Sequence, residues 1–322
     1  MLYGEVAGLT RPVSRLVQGS MALTSEHLDL SFSLLDSVFE HGCNTFDTAH
    51  IYGGGDCERV LGQWMEARGN RDDIVVLTKG AHFNQDRNRV TPFDITSDLH
   101  DSLARLKTDY VDLYLLHRDD PAVDVGPIVE VLNEHHKAGK IHAFGGSNWC
   151  HERIAAANVY AEAHGLVGFA ASSPQFSLAE QVDPPWPGCV SVGGAQGAAA
   201  RAWYIEHAMP VFCWSSLARG FLSGRFTRQE IESMPVDGDE MFVRCHRTGD
   251  NLERLDRAAA LGREKGTGVP QIALAYLLHQ EVTAFPLVGS RNGDEFKANA
   301  EACEVVLTEE ELAWLNLESD TR

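Results

Sequence analysis

Asp47, Tyr52, Lys79 and His117 are the residues of this 322-residue chain whose types and placement suit acid–base chemistry. Each lies at or just past the end of a short apolar or β-branched run. Asp47 closes Asn44–Thr48, and Tyr52 follows five residues later in DTAHIYG. Lys79 ends Ile74–Lys79 in IVVLTKG, and His117 ends Tyr110–His117 in VDLYLLH. Taken singly, a lysine at a strand end is usually a solvated terminus, and a tyrosine beside glycines is usually a turn aromatic. Four such groups in order on three successive runs mean more, because the ends of neighbouring strands in a β/α barrel converge on one mouth. A phenol beside a cation, with a carboxylate and an imidazole close by, is the equipment of a proton-transfer centre.

The elements that would position these groups follow a strand-then-helix rhythm. Strands are expected at Leu16–Gly19, Asn44–Thr48, Ile74–Lys79, Tyr110–His117, Lys140–Asn148, Phe169–Phe176, Pro210–Leu217 and Ala284–Ser290. Apolar residues recur near the helical period over Leu28–His41, Ile128–Ala138 and Ile154–His164. A further helix, Thr96–Leu106, has Thr96 as a candidate cap, and Asn251–Lys265 is a long helical segment. Eight strands alternating with helices predict parallel pairing, and eight is the number that closes a (β/α)8 TIM barrel. A doubly wound open sheet is the competing architecture. It lacks the expected GxGxxG after the first strand, and Gly53–Gly55 follows Tyr52 without that spacing. Two stretches break the rhythm. Leu178–Ala200, rich in proline and glycine, reads as a long loop ahead of a helix, and Thr227–Thr248 is mixed in charge. Loops after barrel strands lie on the catalytic face, so both are candidate substrate walls as well as candidate plain insertions. Residues 1–322 are read as a single domain.

Composition narrows the function. Lysine and arginine number 27 against 46 acidic residues, for a net charge of −19, which argues against a nucleic-acid footprint or a basic membrane face. Residues 1–25 carry Glu5, Arg11 and Arg15 and no apolar leader stretch, and Ile272–Leu278 is too short to span a bilayer, so a cytoplasmic location is expected. Seven cysteines without a CxxC pair read as reduced thiols. Fourteen histidines include no HxH or HExxH at a strand end, so no metal is expected.

The segment NTFDTAHIYGGGDCERVLG resembles the aldo-keto reductase signature, with Asp47, Tyr52, Glu58 and Gly62 in register. The likeness continues through LTKG, DLYLLH, GGSNW, PQFS, WSSLARGFLSGRF and VGSRNGDEFKANAEA, nearly the whole chain. It implies a barrel with NADP, or alternatively NAD, extended across its mouth, and reversible reduction of an aldehyde, ketone or sugar to an alcohol. Tyr52 is then the general acid, Lys79 its activator, Asp47 the partner of Lys79, and His117 a hydrogen-bond donor to the substrate oxygen that could share the proton work. Two unit charges about 4 Å apart at an effective dielectric near 20 interact by roughly 4 kcal/mol, enough to draw the tyrosine from about 10 to near 7, less what Asp47 offsets.

The same resemblance assigns the cofactor residues. Ser147, Asn148 and Gln175 would hold the nicotinamide carboxamide, and Trp214 would stack on the ring in place of a common tyrosine. Ser215, Leu217 and Gly220 would follow the pyrophosphate, with Ser216 where proline is common. Gly289, Ser290, Arg291, Glu295 and Asn299 would meet the adenosine, with Arg291 suited to a 2′-phosphate. Glu295 would repel that phosphate unless paired with Arg291, and it replaces a residue that is often Arg or Gln. The charged run Arg118–Asp119–Asp120 suggests a sugar or polyol, whose hydroxyls carboxylates can bind. The competing function is a cofactor-binding regulatory protein with little turnover.

Overall fold

A computed structural model describes residues 1–322. A short antiparallel hairpin, β1 (Tyr3–Gly4) with β2 (Val13–Ser14), precedes eight parallel strands. These are β3 (Val17–Gly19), β4 (Thr45–Asp47), β5 (Val75–Gly80), β6 (Val111–Leu116), β7 (Ile141–Ser147), β8 (Ala171–Ser173), β9 (Val211–Cys213) and β10 (Ala284–Val288). They pair in chain order, and β10 returns to β3 through Leu287 opposite Val17, closing the barrel.

Alternation along each strand places the site. Val75 and Leu77 on β5, and Leu113 and Leu115 on β6, fill the barrel interior with Phe212 and Phe285, whose rings stack at 4.8 Å. Lys79 and His117 are the next residues of those inward rows, so the parity that buries the aliphatic side chains also aims the ammonium and imidazole into the mouth. Val6 and Val13 from the hairpin region pack in the same inner cluster. Residues of opposite parity, including Val76, Tyr114, Leu116 and Phe144, face the second core beneath the helices.

That outer layer comprises α1 (Leu28–Glu40), α2 (Asp56–Arg68), α3 (Pro92–Leu106), α4 (Val125–Lys137), α5 (His151–Ala163), α6 (Ala198–Glu206), α7 (Arg228–Ser233), α8 (Met241–His246), α9 (Gly249–Lys265), α10 (Val269–Leu278), α11 (Gly293–Ala300) and α12 (Glu309–Leu315). Helix α3 starts four residues earlier than the sequence suggested. Thr91 is its cap, accepting from the Asp94 amide, and Pro92 occupies the first turn, where a missing N–H costs nothing. Thr96 instead lies inside the helix, its hydroxyl 2.9 Å from His135 Nε2. Strands β8 and β9 are shorter than expected because Pro174 and the left-handed Ser215 (φ 52°) turn the chain out of the sheet. Thr227–Thr248 is not a bare loop but carries α7 and α8. Helices α2 and α3 meet at Gly62, where a Cβ would lie 2.5 Å from the Arg105 carbonyl oxygen. No helix is long and apolar enough to cross a membrane.

Candidate active site

The four residues singled out first do converge. Lys79 Nζ donates to Asp47 Oδ1, to the Thr48 carbonyl at 2.9 Å and to Tyr52 Oη at 3.4 Å. Asp47 and Lys79 are 3% and 2% exposed. The His117 ring stands edge-on to Tyr52, with centroids 5.6 Å apart. Tyr52 sits on a turn, followed by three glycines at φ 56°, 62° and 92°, a left-handed backbone that favours residues without a Cβ. A network that went unassigned at the sequence level holds this turn. Glu58, fully buried, accepts from Thr78 at 2.7 Å and from Arg105 at 3.1 Å, and Arg105 also donates to the His50 carbonyl at 2.8 Å. Thr78 adjoins Lys79 and His50 precedes Tyr52 by two residues, so one carboxylate couples both halves of the centre. Its signal was the glutamate of the signature motif, whose role cannot be seen without the fold.

Electrostatics correct one expectation. Burial raises the Tyr52 phenol above its ordinary 10, outweighing the pull of Lys79, while Asp47 adds to the rise. A shift toward 7 does not occur, because the ammonium is already neutralised by Asp47 and the phenolate would lose its hydration. Burial lowers Lys79, but Asp47 and Tyr52 more than restore it, and the amine titrates above its usual value. His117 is driven well below 6.5 by burial, then by Lys79 and Arg118, so it is a neutral imidazole at physiological pH. It can donate a hydrogen bond, but the shared proton work expected of it would need an imidazolium. Its buried Nδ1 has no partner within the chain.

The residues expected to hold the cofactor lie at or after the C-terminal ends of β7, β8, β9 and β10, on the same barrel face as this centre. Ser147 donates to the Ser173 carbonyl and accepts from Asn148 at 3.2 Å. Asn148 Oδ1 accepts the Val190 amide, and the Gln175 side chain is bonded to Ser177 and Ser191. Val190 and Ser191, the partners of the two amide oxygens, lie in the Leu178–Ala200 excursion and tie it to this end of the barrel. Farther along, Ser215, Ala218, Arg219 and Gly220 all have positive φ, and the amides of Ser215, Ser216 and Leu217 find no acceptor within the chain. Successive free N–H groups in such a loop form an anion-binding nest, which fits a pyrophosphate. Ser216, in place of proline, donates to the Leu287 carbonyl at 2.6 Å and fastens the loop to β10. Arg225, not anticipated, lies beside Gly220 at the edge of the nest.

At the adenosine end a Cβ on Gly289 would project into open space, leaving room for a ligand. Ser290 and Asn299 bond to each other at 3.1 Å. Glu295 does not pair with the Arg291 guanidinium. Its carboxylate accepts the Arg291 backbone amide at 2.9 Å, while its own amide is capped by Asn292.

The substrate side is walled by residues the sequence did not single out. Trp186, on the long excursion, stacks on Trp214 at 5.8 Å, and His82 lies 4.9 Å from His117. A cavity of about 450 Å³ opens on the far side of His82, lined also by His50, Ile51, Phe83, Arg89 and Arg105, and not by Tyr52, Lys79 or His117. The carboxylates expected to meet a sugar already have partners within the chain. Asp119 is ion-paired with Arg153 at 3.2 Å, and Asp120 caps the Ala122 amide at 3.2 Å.

Comparison with known proteins agrees with this geometry. Residues 15–316 match the model of the aldo/keto reductase family. Norsolorinic acid reductase of Aspergillus flavus is 31% identical over 298 residues, covering 88% of this chain and 69% of that protein. Aryl-alcohol dehydrogenase [NADP(+)] of Phanerodontia chrysosporium is 28% identical, covering 89% and 75%. The crystal structure of a thermostable aldo-keto reductase with the inhibitor epalrestat superposes with a TM-score of 0.75 at 20% identity, over 99% of this chain and 100% of that one. The parallel barrel, the family match over most of the chain and the relatives' extended similarity lead to one conclusion: this protein belongs to the aldo-keto reductase family of NAD(P)H-dependent oxidoreductases.

Proposed function

We propose that Tyr52 protonates the carbonyl oxygen of a small aldehyde or ketone while the carbonyl carbon receives hydride from a bound nicotinamide. The observation that carries this reading is the Asp47–Lys79–Tyr52 chain of contacts ending beside His117. A phenol held above 10 is fully protonated at neutral pH, which is the state an acid needs. As the proton leaves, negative charge develops on Oη, 3.4 Å from the ammonium, and that interaction is stronger in the transition state than before it. Neutral His117 donates to the same substrate oxygen and fixes its direction. In reverse the phenolate must take the proton, so alcohol oxidation rises toward alkaline pH while reduction persists through neutral pH.

The cofactor is NADP(H), with NAD(H) also accepted. Arg291 is exposed and its guanidinium makes no bond, leaving its fork available to a 2′-phosphate. The name of the Phanerodontia relative specifies NADP(+). Glu295 works in the opposite sense, because its carboxylate already occupies an amide at the start of α11 and repels a phosphate arriving there. A polyhydroxylated substrate would have to engage Asp119 while that carboxylate is paired with Arg153.

Tyr52→Phe tests the reading. Cofactor affinity, followed by quenching of the Trp186–Trp214 emission, should stay near wild type. Reduction of 4-nitrobenzaldehyde should fall by about 10²–10⁴-fold. A variant retaining more than about a tenth of kcat, with chemistry shown to be rate-limiting, refutes the assignment. A regulatory protein would show the quench in its unmutated form without consuming NADPH.

A further inference from the structure

Arg118 has a charge and nothing in the chain to meet it. The residue is 8% exposed, its Nε has no partner, and its one hydrogen bond reaches the adjacent His117 carbonyl at 3.5 Å, the limit of such a contact. The nearby acids are taken. Asp119 serves Arg153, Asp98 serves Arg89 at 2.6 Å, Asp183 serves Arg244 and Glu180 serves Arg254. Buried guanidinium groups are ordinarily paired, and in a chain of net charge −19 an unpaired one stands out. Its surroundings define where it points. The guanidinium lies 5.8 Å from the Phe83 ring centroid and 5.3 Å from Trp186, and its charge acts on Tyr52, His82 and His117. Arg219 approaches Trp186 at 5.3 Å, and its Nε is also buried and unpaired. The cleft beside the proton donor is therefore cationic, enclosed by aromatic rings and free of available carboxylates.

We propose that Arg118 anchors the substrate and that the aldehyde or ketone reduced here carries a carboxylate. The planar guanidinium fork, flanked by Phe83 and Trp186, matches a planar two-oxygen anion. The carboxylate is a spectator that fixes the carbonyl oxygen on Tyr52 and His117, so the inference rests on the reaction assigned above. A purely structural role, with Arg118 and Arg219 steadying Trp186, would support charged and uncharged substrates alike.

The test compares 3- and 4-carboxybenzaldehyde with their methyl esters, and succinate semialdehyde with butanal, under NADPH. The better-placed acid should exceed its uncharged partner at least about tenfold in kcat/KM, mainly through KM. Arg118→Met should bring that ratio to within about threefold of one, and Arg118→Lys should keep part of it. Equal kcat/KM for every acid and its uncharged partner in wild type, or equal losses on both in Arg118→Met, overturns the proposal. A second measurement needs no turnover. 4-(Hydroxymethyl)benzoate should raise the melting temperature of wild type more than benzyl alcohol does, and Arg118→Met should lose that difference. If no aldehyde is consumed, the reaction assignment fails, and the melting comparison still decides whether Arg118 binds a carboxylate.

Discussion

Lys79→Met removes the cation bonded to Tyr52 while keeping much of the side-chain volume. At 3.4 Å and an effective dielectric of about 20, the ammonium attracts a phenolate by about 5 kcal/mol. Asp47, bonded to the same ammonium, repels the phenolate and takes part of this back. If half is taken back, and Asp47 takes up a proton once its partner is gone, the net change is about 2.5 kcal/mol, close to two pKa units. Because burial already holds the phenol above 10, losing the cation moves it further up. The alkaline rise of alcohol oxidation should therefore shift upward by about one to two units, and reduction at neutral pH should slow by up to about 70-fold. Steady-state oxidation measured across about pH 6–11 reads the first effect, and single-turnover reduction reads the second. Lys79→Met also leaves Asp47 buried without its partner, a loss worth about 3–5 kcal/mol unless the carboxyl takes up a proton. The double variant Lys79→Met/Asp47→Asn removes that burden. It should recover stability in urea while keeping the shifted alkaline limb. An alkaline limb within about 0.3 unit of wild type in both variants would show that Lys79 does not govern the phenol.

The remaining predictions concern the cofactor, the packing and the acid stability of the fold. Glu295→Gln should tighten NADPH more than NADH by removing a carboxylate from the start of α11, and Arg291→Ala should weaken NADPH selectively. Equal factors for the two cofactors, measured by tryptophan quenching, would show that neither residue reads the 2′-phosphate. Gly62→Ala places a methyl 2.5 Å from a backbone carbonyl that cannot swing aside, and should cost about 1–3 kcal/mol in urea unfolding; an unchanged midpoint would contradict the α2–α3 contact. Burial holds His246 down to about 4, against 6.5 for the free side chain. Its contribution is fully present above 6.5 and is lost as pH falls toward 4, since the unfolded chain then binds the extra proton, a difference of about 3 kcal/mol. His246→Gln should flatten that part of the stability–pH curve, and an unaltered slope would mean that other groups carry it.

Much of the fold and of the centre is legible in the chain's local pattern. The inward rows of β5 and β6 are written in local alternation, so their continuation to Lys79 and His117 follows from a period-two pattern. Eight such runs separated by helices admit few closed arrangements other than the barrel. Helix starts were harder to read. The Thr91–Pro92 signal lay ahead of the clearest apolar period, and the strand ends at Ser173 and Cys213 depend on Pro174 and on a turn whose left-handed residue, Ser215, is not a glycine.

What the sequence by itself determined was the parallel alternation, the four convergent side chains and the family likeness, because each depends on residue type and short-range spacing. Tertiary structure alone decided which charges neutralise one another. A pairwise view of Tyr52 and Lys79 predicted a lowered phenol, whereas the fold buries that phenol and places Asp47 on the ammonium, reversing the sign. Likewise, Glu295 turned to the Arg291 backbone rather than its side chain, and Asp119 found Arg153, leaving the neighbouring Arg118 unpaired. The stacking of Trp186 on Trp214 joins residues 28 positions apart through a loop whose path the chain pattern does not encode. Periodicity is a property of neighbours along the chain. Desolvation and charge pairing are properties of neighbours in space, and they decide how the residues of this site ionise.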